Sequence, residues 1–156
     1  MIRPTLPTES DRLIELTAGT GLFKPMEVQA LREVLDDYFA TNREHGHVSI
    51  TCEEDGQLLG FAYYAPAAMT DRTWYLYWIA VNKQTQARGI GGELMKFVED
   101  EIRRHNGRIL LIETSSLEHY ELTRRFYQKL QYEQVAVVPD YYADGDHMVV
   151  FRKRFS

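Results

Sequence analysis

Apolar positions follow two spacings along this chain, and the spacing separates predicted strands from predicted helices. Runs rich in β-branched and aromatic residues predict strands over residues 1–7, 47–54, 57–64, 74–81, 108–113, 132–138 and 147–154, with a loop over 139–146. Apolar stripes at helical spacing predict helices over residues 9–18 and 25–42, from residue 90 to the Asn106-Gly107 pair, and over 118–130. This order predicts an α/β fold with a mixed sheet and helices on both faces. The strands at 74–81 and 108–113 are expected to be parallel, because a crossover helix joins them.

The segment over residues 74–101 organises the remainder of the chain. A buried aromatic strand leads into a short polar turn that contains Gly89, Gly91 and Gly92, and an amphipathic helix follows at once. Glycine lets a ligand approach the backbone closely, and the first N–H groups of a helix lack partners within the helix. This strand–turn–helix arrangement therefore predicts an anion-binding site.

Three kinds of anion site were compared with this turn. A nucleoside-triphosphate loop is excluded, because that motif needs a lysine and a hydroxyl residue after its last glycine, where this chain has Gly92 and Glu93. A dinucleotide fingerprint needs a small residue where Leu94 stands, but Glu113 lies at the expected distance for a ribose-binding acid, so this alternative stays open. The pattern Gln86-x-x-Gly89-x-Gly91 fits a third kind of site without adjustment.

This pattern resembles the pyrophosphate-binding motif of the GNAT superfamily of acetyl-CoA-dependent N-acetyltransferases. A second stretch, Phe126-Tyr127-Gln128-Lys129-Leu130-Gln131-Tyr132, is similar to the helix motif that follows one strand later in that family. The resemblance covers about residues 45–154 and implies one domain over 1–156. It also implies a mostly antiparallel sheet of about seven strands with two splayed parallel strands.

The resemblance further implies an acetyl-CoA site, with coenzyme A as product. Main-chain groups of the central strand would pair with the pantetheine arm, and those of the turn would hold the pyrophosphate. Tyr120 stands where many members have a cofactor-binding asparagine, and Gln131 replaces a glycine. The implied cofactor-binding residues are Ile79, Ala80, Val81, Gln86, Ala87, Arg88, Gly89, Ile90, Gly91, Gly92 and Tyr120.

Two residues are candidates for the chemistry of amide formation. Tyr127 stands at the tyrosine that the resemblance implies as the general acid for the departing thiolate, and a phenol with a pKa of about 10 is protonated at neutral pH. Glu113 is a carboxylate in an apolar strand, where burial would raise its pKa toward that of a useful base. Three roles remain open for Glu113: a base, an anchor for the ammonium, or a structural carboxylate tied to a backbone or arginine partner. Tyr77, Tyr141 and Tyr142 are expected to contact the acceptor, since an aromatic wall suits a cation or an apolar group.

Charge and composition narrow the classes of partner and cofactor that are expected for this chain. A formal net charge of −5 argues against nucleic acid as a partner. The longest apolar run is too short to span a bilayer, and no cleavable signal is visible. A cytoplasmic location is therefore expected. One cysteine allows no internal disulfide, and the aspartates of 140–146 lack a calcium-loop pattern, so no metal is expected. A homodimer is left open.

The sequence thus predicts an N-acetyltransferase that moves an acetyl group to a primary amine of a small molecule by direct attack in a ternary complex. An acyl-CoA-binding regulatory module without catalysis, and an enzyme that acetylates a peptide or protein amine, are the alternatives.

Overall fold

The computed structural model describes residues 1–155, and of residue 87 the backbone only. Its seven strands are β1 (Ile2–Pro4), β2 (Val48–Glu54), β3 (Gln57–Pro66), β4 (Thr73–Val81), β5 (Ile109–Ser115), β6 (Glu133–Ala143) and β7 (Asp146–Arg154). Its α-helices are α1 (Ser10–Gly19), α2 (Pro25–Ala40), α3 (Ile90–Arg104) and α4 (Glu121–Lys129). Short 3₁₀ turns precede α1, α3 and α4 and follow α2. Every helix predicted from the sequence is present, with ends shifted by a few residues.

The strands form one sheet in the order β1-β2-β3-β4-β5-β7-β6. Only β4 and β5 are parallel among the described pairs, and the other neighbours are antiparallel. The predicted mixed, mostly antiparallel sheet of seven strands is confirmed, and so is the parallel pairing across α3. No described helix is long and apolar enough to cross a membrane.

Helices cover the two faces of the sheet and create two separate cores. On one face, Leu94, Val98 and Ile102 of α3 pack with Leu110 and Ile112 of β5. On the other, the apolar stripes of α1 and α2 pack on β3 and β4, through Leu13, Leu31, Leu35 and Tyr38 against Phe61 and Tyr63. Successive strand residues point to opposite faces, so β4 and β5 contribute side chains to both sides.

The predicted loop over residues 139–146 is wrong in part, because β6 continues to Ala143 before a turn leads into β7. Its pairing is nevertheless interrupted. Val138 pairs with Met148 and Ala143 with Asp146, so residues 139–142 stand opposite His147 alone. Asp140 has a positive φ of 55° there, and its carboxylate accepts a hydrogen bond from the Gly145 N–H. Proline at 139 is tolerated because β6 is the edge strand.

A bulge in β4 separates the two parallel strands. Tyr63 pairs with Trp78 and the next residue of β3, Tyr64, pairs with Leu76, so Tyr77 is the extra residue in β4. The β4–β5 ladder runs from Thr73–Ile109 to Leu76–Ile112 and stops where the bulge begins. A bulge bends and twists its strand. The predicted splay of the two parallel strands therefore follows from one inserted residue, Tyr77.

Candidate active site

A cleft with a volume of about 330 Å³ occupies the gap between the splayed strands. Leu76 and Ile112, the last paired residues, lie at its inner end, and Tyr127 of α4 also lines it. Tyr127 belongs to the core on the α3 face, whereas Tyr77 contacts Tyr63 of the core on the opposite face. The gap thus lets groups from both faces of the sheet reach one space.

The edge of β4 in this gap has main-chain groups that β5 does not pair. Beyond the bulge at Tyr77, residues 78–81 of β4 keep their pairing with β3 but have none with β5. Unpaired backbone N–H and C=O groups need hydrogen-bond partners, and an extended amide chain supplies them at strand spacing. The three predicted pantetheine contacts lie here: Ile79 lines the cleft, Val81 is half-buried, and the side chain of Ala80 is buried toward α1 and α2.

The turn between β4 and α3 ends as a helix N-terminus, as the glycine pattern predicts. Gly89 precedes α3 with φ of +78°, and the Glu93 N–H donates to its carbonyl at 3.1 Å. The N–H groups of Ile90, Gly91 and Gly92 come before that first helical bond, so they are free to donate to an anion. Together with the unpaired edge of β4, this N-terminus fits a coenzyme A chain with its pyrophosphate.

The remaining residues of the turn that were predicted to bind the cofactor differ in which of their groups are accessible. The side chain of Ile90 is buried in the core, so only its main chain is available, and Gln86 is exposed. Arg88 is exposed and pairs with Glu54 of the β2–β3 hairpin at 2.8 Å. Ala87 was also predicted to bind the cofactor, but its side chain lies outside the described residues.

Gly91 sets the distance between α3 and α4. A Cβ atom at this position would lie 3.2 Å from Cζ of Phe126, whereas one at Gly92 would meet nothing within 4 Å. Phe126 packs against the neighbouring Tyr127 with ring centroids 5.4 Å apart. The absence of a side chain at Gly91 therefore lets α4 approach closely enough to place Tyr127 beside the cleft.

Tyr127 presents a phenol that the described protein leaves without a hydrogen bond. The residue is 3% exposed, packs on the rings of Tyr132 and Phe151, and lines the cleft. No hydrogen bond joins its hydroxyl to another described residue. Burial raises the pKa of the Tyr127 phenol, so the group stays protonated at neutral pH. An unpartnered hydroxyl that a buried residue presents to a cleft is expected to donate to a ligand.

Glu113 lies on the other side of the gap. Its strand neighbours Ile112 and Thr114 are buried, while Glu113 itself is exposed in the cleft beside Tyr75 and Tyr77. Partial burial raises the pKa of Glu113, and no described cation pairs with it. The structural role considered from the sequence thus has neither a backbone nor an arginine partner among residues 1–155, and a raised pKa suits a group that accepts a proton.

Aromatic residues from three segments surround Glu113. Tyr75 and Tyr77 stack with ring centroids 5.6 Å apart, and Trp78 packs on Phe23 from the α1–α2 connection. Tyr142 lines the cleft, whereas Tyr141 is 58% exposed and does not, although it packs edge-on against Tyr142 at 5.0 Å.

Tyr120, predicted as a cofactor contact, joins two walls of the cleft. Its hydroxyl donates to the Leu22 carbonyl at 3.0 Å, which ties the α1–α2 connection to the start of α4. An asparagine side chain would be too short to span the same distance. Tyr120 therefore holds the α1–α2 connection, which contributes Leu22, Phe23 and Lys24 to the cleft, against the start of α4.

Asp146 is a cleft residue that sequence reasoning missed. It is 4% exposed, accepts a hydrogen bond from Ser115 Oγ at 2.5 Å, and has the Lys24 ammonium 3.8 Å from its second oxygen. In the sequence it appeared only among the aspartates rejected as metal ligands. Nothing in its local sequence marks it, because its position depends on the pairing of β7 with β5.

Comparison with known proteins identifies the family. The family described as Acetyltransferase (GNAT) family matches residues 16–132, about three quarters of the chain. The chain belongs to the GNAT family. An uncharacterized N-acetyltransferase of Methanocaldococcus jannaschii is 30% identical over 105 residues, which cover 65% of this chain and 63% of that protein.

Solved GNAT structures share the whole fold. A GNAT-family acetyltransferase candidate from Desulfovibrio desulfuricans has a TM-score of 0.94 at 32% identity, covering 99% of this chain and 98% of that one. An aminoglycoside 6′-N-acetyltransferase complexed with coenzyme A has a TM-score of 0.79 at 19% identity, covering 99% and 96%. The predicted GNAT fold is confirmed.

Proposed function

We propose that this GNAT protein transfers an acetyl group from acetyl-CoA to a primary amine of a small molecule, by direct attack in a ternary complex. The observation that carries the proposal is the Tyr127 phenol, which is buried, has no hydrogen bond to described residues, and faces the gap where β4 and β5 part. The coenzyme A bound by a GNAT neighbour of the same fold supports the donor.

The cofactor fits the main chain of this protein at two places. The free N–H groups at the start of α3 would hold its pyrophosphate, and the unpaired edge of β4 would hold its amide arm. When bound there, acetyl-CoA supplies an acetyl group already activated as a thioester. The sheet gap then fixes where that group meets an acceptor.

Two side chains move the protons that the transfer requires. Glu113 accepts a proton from the acceptor ammonium, directly or through water, so that the nitrogen lone pair is free to form the new C–N bond. As the C–S bond breaks, Tyr127 donates its proton to the departing sulfur. Glu113 takes the first proton from the nitrogen, and the nitrogen loses a second proton as the amide forms, which returns to the Tyr127 phenolate directly or through water. Glu113 then releases its proton to solvent, so one proton leaves per acetyl transfer and the enzyme returns to its starting state.

The acceptor end of the cleft supports a small cationic amine. Carboxylates of Glu27, Glu113 and Asp146 and the rings of Tyr77 and Tyr142 all line it. Carboxylates and aromatic faces both favour a cation. The cleft volume of about 330 Å³ is in the range of small-ligand sites.

A panel of amines, assayed by thiol release from acetyl-CoA with mass confirmation of the product, tests the proposal. The panel contains small primary amines and a peptide with a free N-terminus. Thiol release with small amines, and not with the peptide, is expected. Coenzyme A binding without thiol release for any amine would indicate the regulatory module instead. Stabilisation by a nicotinamide dinucleotide, and not by coenzyme A, would contradict the donor assignment.

A further inference from the structure

Asp146 lines the cleft with a buried carboxylate whose two oxygens have different neighbours. Its other oxygen accepts a hydrogen bond from Ser115 Oγ, and the same Ser115 Oγ accepts from the Leu117 N–H at 3.0 Å. This arrangement fixes the carboxylate against β5. The second oxygen has Lys24 Nζ at 3.8 Å, which is an ion pair without a hydrogen bond. A buried carboxylate is therefore held in place with one hydrogen-bonding position open to the cleft.

The spacing between this carboxylate and the proposed base is set by the strand. Glu113 and Ser115 are two residues apart in β5 and point to the same face, because side chains alternate along a strand. Two strand residues span about 7 Å. Since Asp146 is bound to Ser115, its carboxylate is anchored about that far along β5 from Glu113.

Two tyrosines of the cleft lie near these carboxylates, Tyr142 near both of them and Tyr120 near Asp146. Tyr142 has its pKa raised to about 12 by burial first, and then by the charges of Glu113 and Asp146. Tyr120 has its pKa raised by burial and by the charges of Glu27 and Asp146. Glu27 is partly committed, because it accepts a hydrogen bond from the Lys24 N–H at the start of α2. With Lys24 as the one lysine or arginine among the described lining residues, three carboxylates leave the cleft with a formal charge of −2.

We propose that the acceptor has two amino groups about 7 Å apart, one acetylated beside Glu113 and the other held as an ammonium by Asp146. The inference rests on the proposed function and assigns Asp146 as the residue that determines acceptor specificity. Lys24 occupies the neighbourhood of Asp146 in the structure and yields to the second ammonium of the acceptor. Its side chain is 47% exposed, so it has space to move into solvent.

A fixed Lys24–Asp146 pair would make the opposite prediction. In that case Asp146 would already be neutralised, and a second ammonium on the acceptor would bring no advantage. The exposed position of the Lys24 side chain and the 3.8 Å separation, which is too long for a hydrogen bond, favour the mobile alternative.

The test compares 1,5-diaminopentane with pentylamine, which has the same chain and lacks the second amine. The wild-type enzyme is expected to show a kcat/KM at least about 10-fold higher for the diamine, because a buried charge pair is lost with the monoamine. Equal values for the two amines would overturn the inference and leave the proposed function standing. No thiol release with any amine would instead contradict the proposed function itself.

Two variants test whether Asp146 is responsible for the preference for the diamine. In Asp146→Asn the preference for the diamine over pentylamine is expected to fall about 10-fold. The matched control is Asp144→Asn, an exposed aspartate of the same hairpin outside the cleft, which is expected to keep the wild-type preference. An unchanged preference in Asp146→Asn would overturn the assignment.

The Lys24→Met variant tests whether the acceptor binds Asp146, even if Asp146→Asn fails to fold. Removing the competing ammonium is expected to lower the KM for the diamine by about 3-fold, because the acceptor no longer has to displace Lys24 from Asp146. An unchanged or higher KM for the diamine would show that Lys24 does not compete with the acceptor, and would overturn the inference.

Discussion

Leu76 and Ile112 form the last matched pair of the parallel strands β4 and β5, and the β4 bulge at Tyr77 begins at the next residue. Because the pairing ends there, β4 and β5 separate and leave a gap in the sheet. Tyr127, which packs on the α3 face, and Glu113, which points to the α1–α2 face, consequently line one cleft. In a continuous sheet, paired strands would separate these two side chains.

Replacing Tyr127 by Phe tests the proposed acid. We expect turnover to fall by a factor of about 10 to 100, because the departing thiolate loses its proton donor, while coenzyme A binding changes little. Steady-state thiol release gives the first quantity and calorimetric titration the second. Tyr141→Phe is the control, since that hydroxyl lies outside the cleft. Wild-type turnover in Tyr127→Phe would remove the phenol from the mechanism.

Replacing Glu113 by Gln tests the proposed base through pH dependence. In the wild type, kcat/KM should rise with pH through the raised pKa of Glu113, because only the carboxylate form accepts a proton. Glu113→Gln should lower activity and remove that rise. If the variant keeps the same acid limb, another group is the base.

Glu113→Gln also has an expected effect on stability. A carboxyl group with a raised pKa in the folded state binds its proton more tightly when folded, so its contribution is present below the unfolded pKa and is lost as pH rises through the folded one. The neutral glutamine should therefore match or exceed the wild-type Tm at pH 7. A clear fall in Tm would indicate a structural role for Glu113.

Arg88 and Glu54 should affect coenzyme A binding in opposite directions. Their ion pair is exposed, so breaking it should change stability little. Arg88→Gln is expected to weaken coenzyme A binding by a factor of about 2 to 5, and Glu54→Gln to strengthen it by freeing the guanidinium. Both effects should shrink at high salt, as titrations at two ionic strengths would reveal. Weaker binding in both variants would exclude Arg88 as a phosphate contact.

Gly91 and Gly92 form a matched pair at the start of α3. Alanine favours a helix over glycine by about 1 kcal/mol, and at Gly92 a methyl group has free space. At Gly91 the methyl group would press on Phe126, so Gly91→Ala should have a Tm about 2–4 °C below that of Gly92→Ala. Turnover should fall further in Gly91→Ala, because Phe126 packs on Tyr127. Equal Tm values would show that α4 adjusts without cost.

The sequence was sufficient to predict features that depend on the local pattern of residues along the chain. The stripe of α3, the glycines before it and the strand residues of β4 each follow from short-range physics, and the structure has each element where the pattern predicts it. The loop predicted after residue 138 was partly wrong, because β7 offers pairing partners on both sides of the interruption and the ladder resumes at Ala143. Propensity at Pro139 and Asp140 could not reveal that partner.

The sequence alone determined the family, the order of elements and the glycine turn before α3, because each depends on residues adjacent along the chain. Tertiary structure alone decided that Tyr77 is the bulge, that Glu113 has no described cationic partner, and that Asp146 is fixed on Ser115 within the cleft. These facts depend on strand register and on contacts between residues tens of positions apart, such as the 31 that separate Ser115 from Asp146. Hydrophobic periodicity shows which face of a strand is buried, but it does not show which residue of a distant strand lies opposite.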